Sequence, residues 1–180
     1  MWILVFTLLV VALDQISKIA IKTQFDLKET VAIIGNFLQF TYIQNEGMAF
    51  GIRFGNKFFF TIFASIASAI ILLYLYRIRN AGFFPRFSLA LILGGALGNL
   101  IDRFAYGAVI DFIDIGVGTT RWPVFNIADS AVTIGMIILI SLVLFEKSKE
   151  EAAPPASPFP LQQPAPSDEH DNWRDVQRTN

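Results

Sequence analysis

The sequence predicts an all-α integral membrane protein, four transmembrane helices with a small extracytoplasmic β-rich cradle, and three observations carry that reading. Hydrophobic residues make up 54% of the 180-residue chain, with 18 Phe and a mean hydropathy of +0.53, above the usual apolar share of a soluble domain. Two runs, 58–76 and 127–145, each extend 19 residues with no charge or a single one. Between the first two apolar segments lies VAIIGNFLQFTYIQNEGMAFGI, residues 31–52, rich in β-branched and aromatic residues and containing three glycines.

The elements follow in order. Residues 2–21 are apolar apart from Asp14, Gln15, Ser17 and Lys18. No positive region precedes this stretch and no small-x-small site follows it, so it reads as a retained span rather than a cleaved signal peptide. The outer segment, about 31–56, reads as short strands and turns. Because a strand edge cannot face lipid, it belongs at the membrane surface. Residues 58–76 nearly cross a hydrocarbon core of roughly 30 Å at about 1.5 Å per residue. The third span, 85–105, has only a short apolar run of its own, but Arg86 can snorkel at one end. On it Ala90, Gly94 and Gly98 recur every four residues, a face that lets another backbone come close. The fourth span, 127–145, carries one charge, Asp129, at its third position. From Glu150 onward the chain holds six of its eight prolines and few aliphatic residues, so 150–180 is expected to be a disordered cytoplasmic tail appended to a transmembrane domain of residues 1–149.

Orientation rests on charge density. Arg77, Arg79 and Arg86 fall within ten residues of the loop joining the second and third spans, with no acid among them, and Lys147 and Lys149 follow the fourth span. The opposite side counts six basic residues, Lys22, Lys28, Arg53, Lys57, Arg103 and Arg121, but mixes both signs. The expectation is that both termini are cytoplasmic.

Composition excludes several chemistries. There is no Cys, and the single His170 sits in the tail, so a Ser-His-Asp triad, a Cys-His pair and histidine zinc sites each lack a part. A net charge of −1 gives no reason to expect nucleic acid. Catalysis is left to carboxylates, amides, hydroxyls, Arg and Lys, and ionisable groups at membrane depth are the candidates because they are costly to keep there.

Five places qualify. Asn99, Asp102, Arg103 and Tyr106 share one helix face, which reads either as an Asp-Arg pair finishing a helix or as groups aimed at a substrate carbonyl. Asn126 and Asp129 have capping-box spacing, so Asp129 either caps a helix or belongs to an acid pair that shares a proton. Asp14 and Lys18 are i and i+4, the spacing of an intrahelical ion pair. Asn45-Glu46-Gly47 reads as a turn. In AVIDFIDIG, residues 108–116, Asp111 and Asp114 are an odd number apart, so on a strand they point to opposite faces and do not pair with each other. One of them can meet Asp129 from a different segment.

GGALGNLIDR (94–103), VIDFID (109–114) and WPVFNIADS (122–130) closely resemble the three C-terminal motifs of the lipoprotein signal peptidases, or signal peptidase II, the bacterial inner-membrane aspartyl proteases. LDQISK (13–18) and QNEGMAF (44–50) look like the two N-terminal motifs. All five stand in family order over roughly residues 10–135, with Glu46 and Met48 at variable positions and the Pro-rich tail as an addition.

The resemblance implies an aspartyl endopeptidase that cleaves diacylglyceryl-modified prolipoproteins just before the lipidated cysteine. It implies a catalytic dyad of Asp111 and Asp129, with Asp114 non-catalytic. It further implies that Asn99, Asp102, Arg103 and Asn126 line or brace the site, Asn45 sits in the cradle near substrate, and Asp14 and Lys18 support the polar interior. No metal or organic cofactor is expected, and the expected partners are the prolipoprotein and membrane lipid, with the enzyme acting as a monomer in the bacterial inner membrane. Two rivals make different predictions. A four-helix transporter or channel using Asp14, Lys18, Asp102 and Asp129 as a polar relay predicts solute or proton flux. A metal-dependent lipid-head-group transferase predicts chelator sensitivity.

Overall fold

The structure, a computed structural model, describes residues 2–46, 48–49, 52–53 and 57–152, with side chains described over 2–46 and 59–145. The expected tail from 153 on, His170 included, and Gly47, Phe50, Gly51 and residues 54–56 of the outer segment lie outside the described residues. Among the described residues, four helices are long and apolar enough to cross a membrane: α1 (Leu4–Gln24), α2 (Lys57–Arg77), α3 (Phe83–Tyr106) and α4 (Ile127–Ala152). Helix α4 therefore continues three residues into the segment assigned to the tail.

Helix α3 is the axis of the bundle. Within its most apolar window 56% of the residues are buried, against 22% or less for the other three spans. The small-residue face explains this. A Cβ at Gly94 would stand 2.8 Å from Val10 Cβ of α1, and one at Gly95 would run into the carbonyl of Ala128 on α4. Contacts of that kind are open only to backbones without side chains between them. At one end of the bundle Trp2, Phe6, Phe83 and Phe87 form a stacked and edge-on aromatic cluster, with Arg86 over the Trp2 ring.

The strands are β1 (Thr30–Ile34), β2 (Leu38–Asn45), β3 (Met48–Ala49), β4 (Ile52–Arg53), β5 (Val109–Val117) and β6 (Thr120–Arg121). β1, β2, β5 and β6 form one antiparallel sheet in that order, and β3 pairs with β4. The cradle is thus built from two distant stretches, the outer segment and the VIDFID strand, in the register Asn45↔Val109, Ile43↔Asp111 and Gln39↔Asp114. Gly107 makes this geometry. It ends α3 in the left-handed region at φ 72°, where its N–H closes on the Arg103 carbonyl, and the chain turns directly into β5. Tyr42, Ile110 and Phe112 then pack with Ile21 of α1, seating the sheet on the bundle.

Candidate active site

The two aspartates of VIDFID do part company. Asp114 turns to the sheet: Arg121 Nε donates to its Oδ1 at 2.6 Å and the Thr41 hydroxyl donates to its Oδ2 at 2.9 Å. Arg121 also donates to the carbonyls of Asp114 and Asn36, so this pair straps β6 and the β1–β2 turn to β5. Asp111 turns the other way and is 3% exposed. Its Oδ1 accepts from Asn126 Nδ2 at 2.7 Å and its Oδ2 from Asn45 Nδ2 at 3.1 Å.

Asn126 joins Asp111 to Asp129. The capping box read from the sequence is complete: Asn126 Oδ1 accepts from the Asp129 N–H at 2.9 Å, and Asp129 Oδ2 accepts from the Asn126 N–H at 3.2 Å. Asp129 Oδ1 accepts from Asn99 Nδ2 at 2.8 Å. The alternatives of cap and site residue are therefore not exclusive, because one carboxylate caps α4 and faces the acid of β5. Burial, and after it the charge of Asp129, push the Asp111 carboxyl up to about 7, against the lowering effect of Asn45, Asn126 and Lys18.

Behind this pair lies a second polar layer. Lys18 and Asp14 meet at 2.8 Å as the i, i+4 spacing predicts, but Lys18 also reaches Asp102 on α3 at 2.8 Å and Asn99 Oδ1 at 2.9 Å. Gln15, which no spacing argument selects, donates to Asp14, to Asp102 and to the Gly98 carbonyl. Asp102 thus faces α1 rather than pairing with Arg103. Arg103 instead donates to the Asn99 carbonyl at 3.2 Å, where its charge acts on Asp129, Asp111 and Asp102. Tyr106 leaves the group: its ring is half exposed and carries the Lys22 ammonium 3.6 Å from the centroid. Asn45 closes β2 as a strand residue, and of the expected Asn45-Glu46-Gly47 turn the last residue lies outside the described residues.

A cleft of about 450 Å³ opens beside Asp129, lined by Trp122, Phe125, Ser130, Thr133 and Ile134 as well. Its walls are mostly apolar, and Asp129 is the one carboxylate among them. That arrangement accepts a greasy ligand carrying a polar centre.

The comparisons agree with one another. The family model of signal peptidase (SPase) II matches residues 6–145. A lipoprotein signal peptidase from Syntrophomonas wolfei is 46% identical over 144 residues, covering 80% of this chain and 93% of its own, and one from Desulforapulum autotrophicum is 43% identical over 145 residues, covering 77% and 89%. Among solved structures, a bacterial membrane enzyme determined by the in meso method at 2.3 Å superposes with a TM-score of 0.72 at 35% identity, covering 84% of this chain and 93% of that one.

Proposed function

The chain belongs to the signal peptidase II family, and from that premise we propose that it removes signal peptides from diacylglyceryl-modified prolipoproteins, cutting just before the lipidated cysteine with an aspartic dyad of Asp111 and Asp129. The observation that carries the dyad is Asn126, whose side chain is hydrogen-bonded to Asp111 at one end and caps Asp129 at the other.

The chemistry follows from the two environments. Asp111, which burial and then the charge of Asp129 push up to about 7, is the member we assign as the acid. It hydrogen-bonds the scissile carbonyl oxygen and later protonates the leaving amine. Asp129, which accepts from Asn99 and from the Asn126 backbone N–H, is the member we assign as the base. It takes a proton from water as the water oxygen attacks the carbonyl carbon. Arg103, beside both, offsets negative charge as the tetrahedral oxyanion develops. The cleft along Trp122, Thr133 and Ile134 receives the apolar part of the substrate, so water reaches the dyad from the sheet side while acyl chains and signal helix stay in lipid.

The enzyme lies in the bacterial cytoplasmic membrane with both termini cytoplasmic and the dyad at the extracytoplasmic surface, acting as a monomer without a metal. Supporting this orientation, Arg77, Arg79 and Arg86 lie at the opposite end of α2 and α3 from the sheet. The transporter alternative finds no support among the relatives.

The test is cleavage of a diacylglyceryl-modified prolipoprotein in detergent by wild type, Asp111→Asn, Asp114→Asn and Asp129→Asn, with and without chelator. Loss of roughly four orders of magnitude or more in the Asp111 and Asp129 variants, as is usual for groups that act as a unit, with little effect of Asp114→Asn or chelator, is the expected result. A dead Asp114→Asn variant beside an active Asp111→Asn moves the dyad to Asp114, and an inactive wild type removes the peptidase reading.

A further inference from the structure

Three ionisable side chains lie wholly inside the bundle and take no part in the chemistry above. Asp14, Lys18 and Asp102 are each 1% exposed or less. Burying one ammonium and two carboxylates is costly, and hydrophobic replacements of the same volume are often as stable, so packing alone is a weak reason to keep them.

What distinguishes the group is where its outer hydrogen bonds go. Asp14 Oδ1 accepts from the backbone N–H of Ala128 at 2.9 Å, and Ala128 is the residue before Asp129. Asp102 Oδ2 accepts from the backbone N–H of Ile110 at 3.1 Å, and Ile110 is the residue before Asp111. Asn99 Nδ2 donates to the Asp129 carboxylate itself. Lys18 Nζ donates to all three of these acceptors, at 2.8, 2.8 and 2.9 Å, which uses every N–H an ammonium has.

Resting on the peptidase reading, we propose that Lys18 is the positioning residue of the dyad: one ammonium gathers the three side chains that hold the β5 and α4 halves of the site in register. Two effects follow. The ammonium keeps two buried carboxylates from repelling each other across the α1–α3 contact, and those carboxylates grip β5 and α4 by single backbone N–H groups. It also fixes the Asn99 amide. Asn99 Oδ1 lies between the Lys18 ammonium and Asn126 Nδ2, so a flipped amide would set donors against donors, and the NH2 group must face Asp129. Gln15 makes a second, neutral tie between Asp14 and Asp102, which gives the folded bundle a means of surviving the loss of the ammonium while its register relaxes.

The experiment compares kcat, KM and thermal midpoint of wild type, Lys18→Met, Lys18→Gln and Thr7→Val. Thr7 Oγ1 donates to the Ala90 carbonyl at 2.9 Å in the same α1–α3 contact away from the dyad, so its replacement reports loss of packing alone. Lys18→Met is expected to lower kcat about 100-fold, the usual consequence of a misplacement of about 1 Å in a catalytic array, with KM within about threefold of wild type. Lys18→Gln, which keeps two N–H donors but no charge, loses about tenfold and decides the matter if Lys18→Met does not fold. Wild-type kcat in either folded Lys18 variant overturns the proposal. So does a loss in kcat that Thr7→Val reproduces at the same fall in thermal midpoint. The peptidase reading fails separately, through an inactive wild type or an active Asp129→Asn variant.

Discussion

Replacing Gly95 by alanine puts a methyl group where α3 and α4 have no room for one. The added Cβ would overlap the Ala128 carbonyl oxygen, stand 2.7 Å from Val132 Cγ2 and 3.1 Å from the Ala128 carbonyl carbon. Carbon atoms in ordinary contact sit about 3.5–4.0 Å apart, so α4 must withdraw by about 1 Å. The obstruction is mostly backbone, which cannot rotate out of the way. Ala128 is also the residue whose N–H is held by Asp14, and Asp129 follows it, so the withdrawal carries the carboxylate with it. The stability terms partly cancel: overpacking costs about 1–3 kcal/mol. Alanine in a helix interior recovers roughly 1 kcal/mol over glycine. The rate term has no such offset, and a displacement of about 1 Å removes about 100-fold in kcat. The assay is turnover of a diacylglyceryl-modified prolipoprotein in detergent, beside the thermal midpoint. Gly82→Ala, whose new Cβ would find only Pro85 Cδ at 3.9 Å, serves as the comparison. A Gly95→Ala enzyme with wild-type kcat refutes the coupling between the helix contact and the dyad.

Three further outcomes are expected. Burial raises the Asp111 carboxyl to about 7, so its proton is present below that pH and lost above it; kcat should fall about tenfold per unit on the alkaline side, and a flat rate from pH 6 to 9 would contradict the role of Asp111 as acid. Asn126→Ala removes the Asp111 donor and the α4 cap together, which should cost about 1 kcal/mol through the cap. In turnover it should cost about 100-fold or more, read in the same assay. Breaking the strap on the sheet by Asp114→Asn should leave kcat within about threefold and cost about 1 kcal/mol at most, since Arg121 is 28% exposed and partly screened; a larger loss in chemical denaturation would show the strap to be a main support of the cradle.

The four helices were legible because hydropathy runs of span length admit few other folds, and the divergence of Asp111 from Asp114 was legible because strand parity is arithmetic. The capping box at Asn126 and Asp129 was equally local. What the sequence hid is contact across elements. The spacing of Asp14 and Lys18 explains their ion pair completely, leaving nothing to signal that the same ammonium crosses to Asp102 and Asn99. Gln15 gave no signal beyond a polar residue in an apolar span, because beside the neighbouring Asp14 its partners are the Gly98 carbonyl and the Asp102 carboxylate on α3, more than eighty positions away. The pairing of β2 with β5 joins stretches some seventy residues apart, and the register depends on where Gly107 turns the chain. Tyr106 shows the converse error. Shared helical spacing placed it with Asn99 and Asp102, but the last turn of α3 swings it out to Lys22.

The interlocking of Lys18, Asp102, Asn99, Asn126 and the two aspartates also bears on how such an enzyme answers selective pressure. An inhibitor that anchors on Asp111 and Asp129 meets a set in which each member is tied to at least one other, so escape by a single change there forfeits turnover. In the walls of the neighbouring cleft, Trp122 and Ile134 hold neither carboxylate, and Thr133 touches Asp129 only at its backbone carbonyl, to which its hydroxyl donates at 2.8 Å. Resistance should therefore map to that wall, and a compound that draws its affinity from the aspartates rather than from the wall leaves the cell the narrower range of escapes.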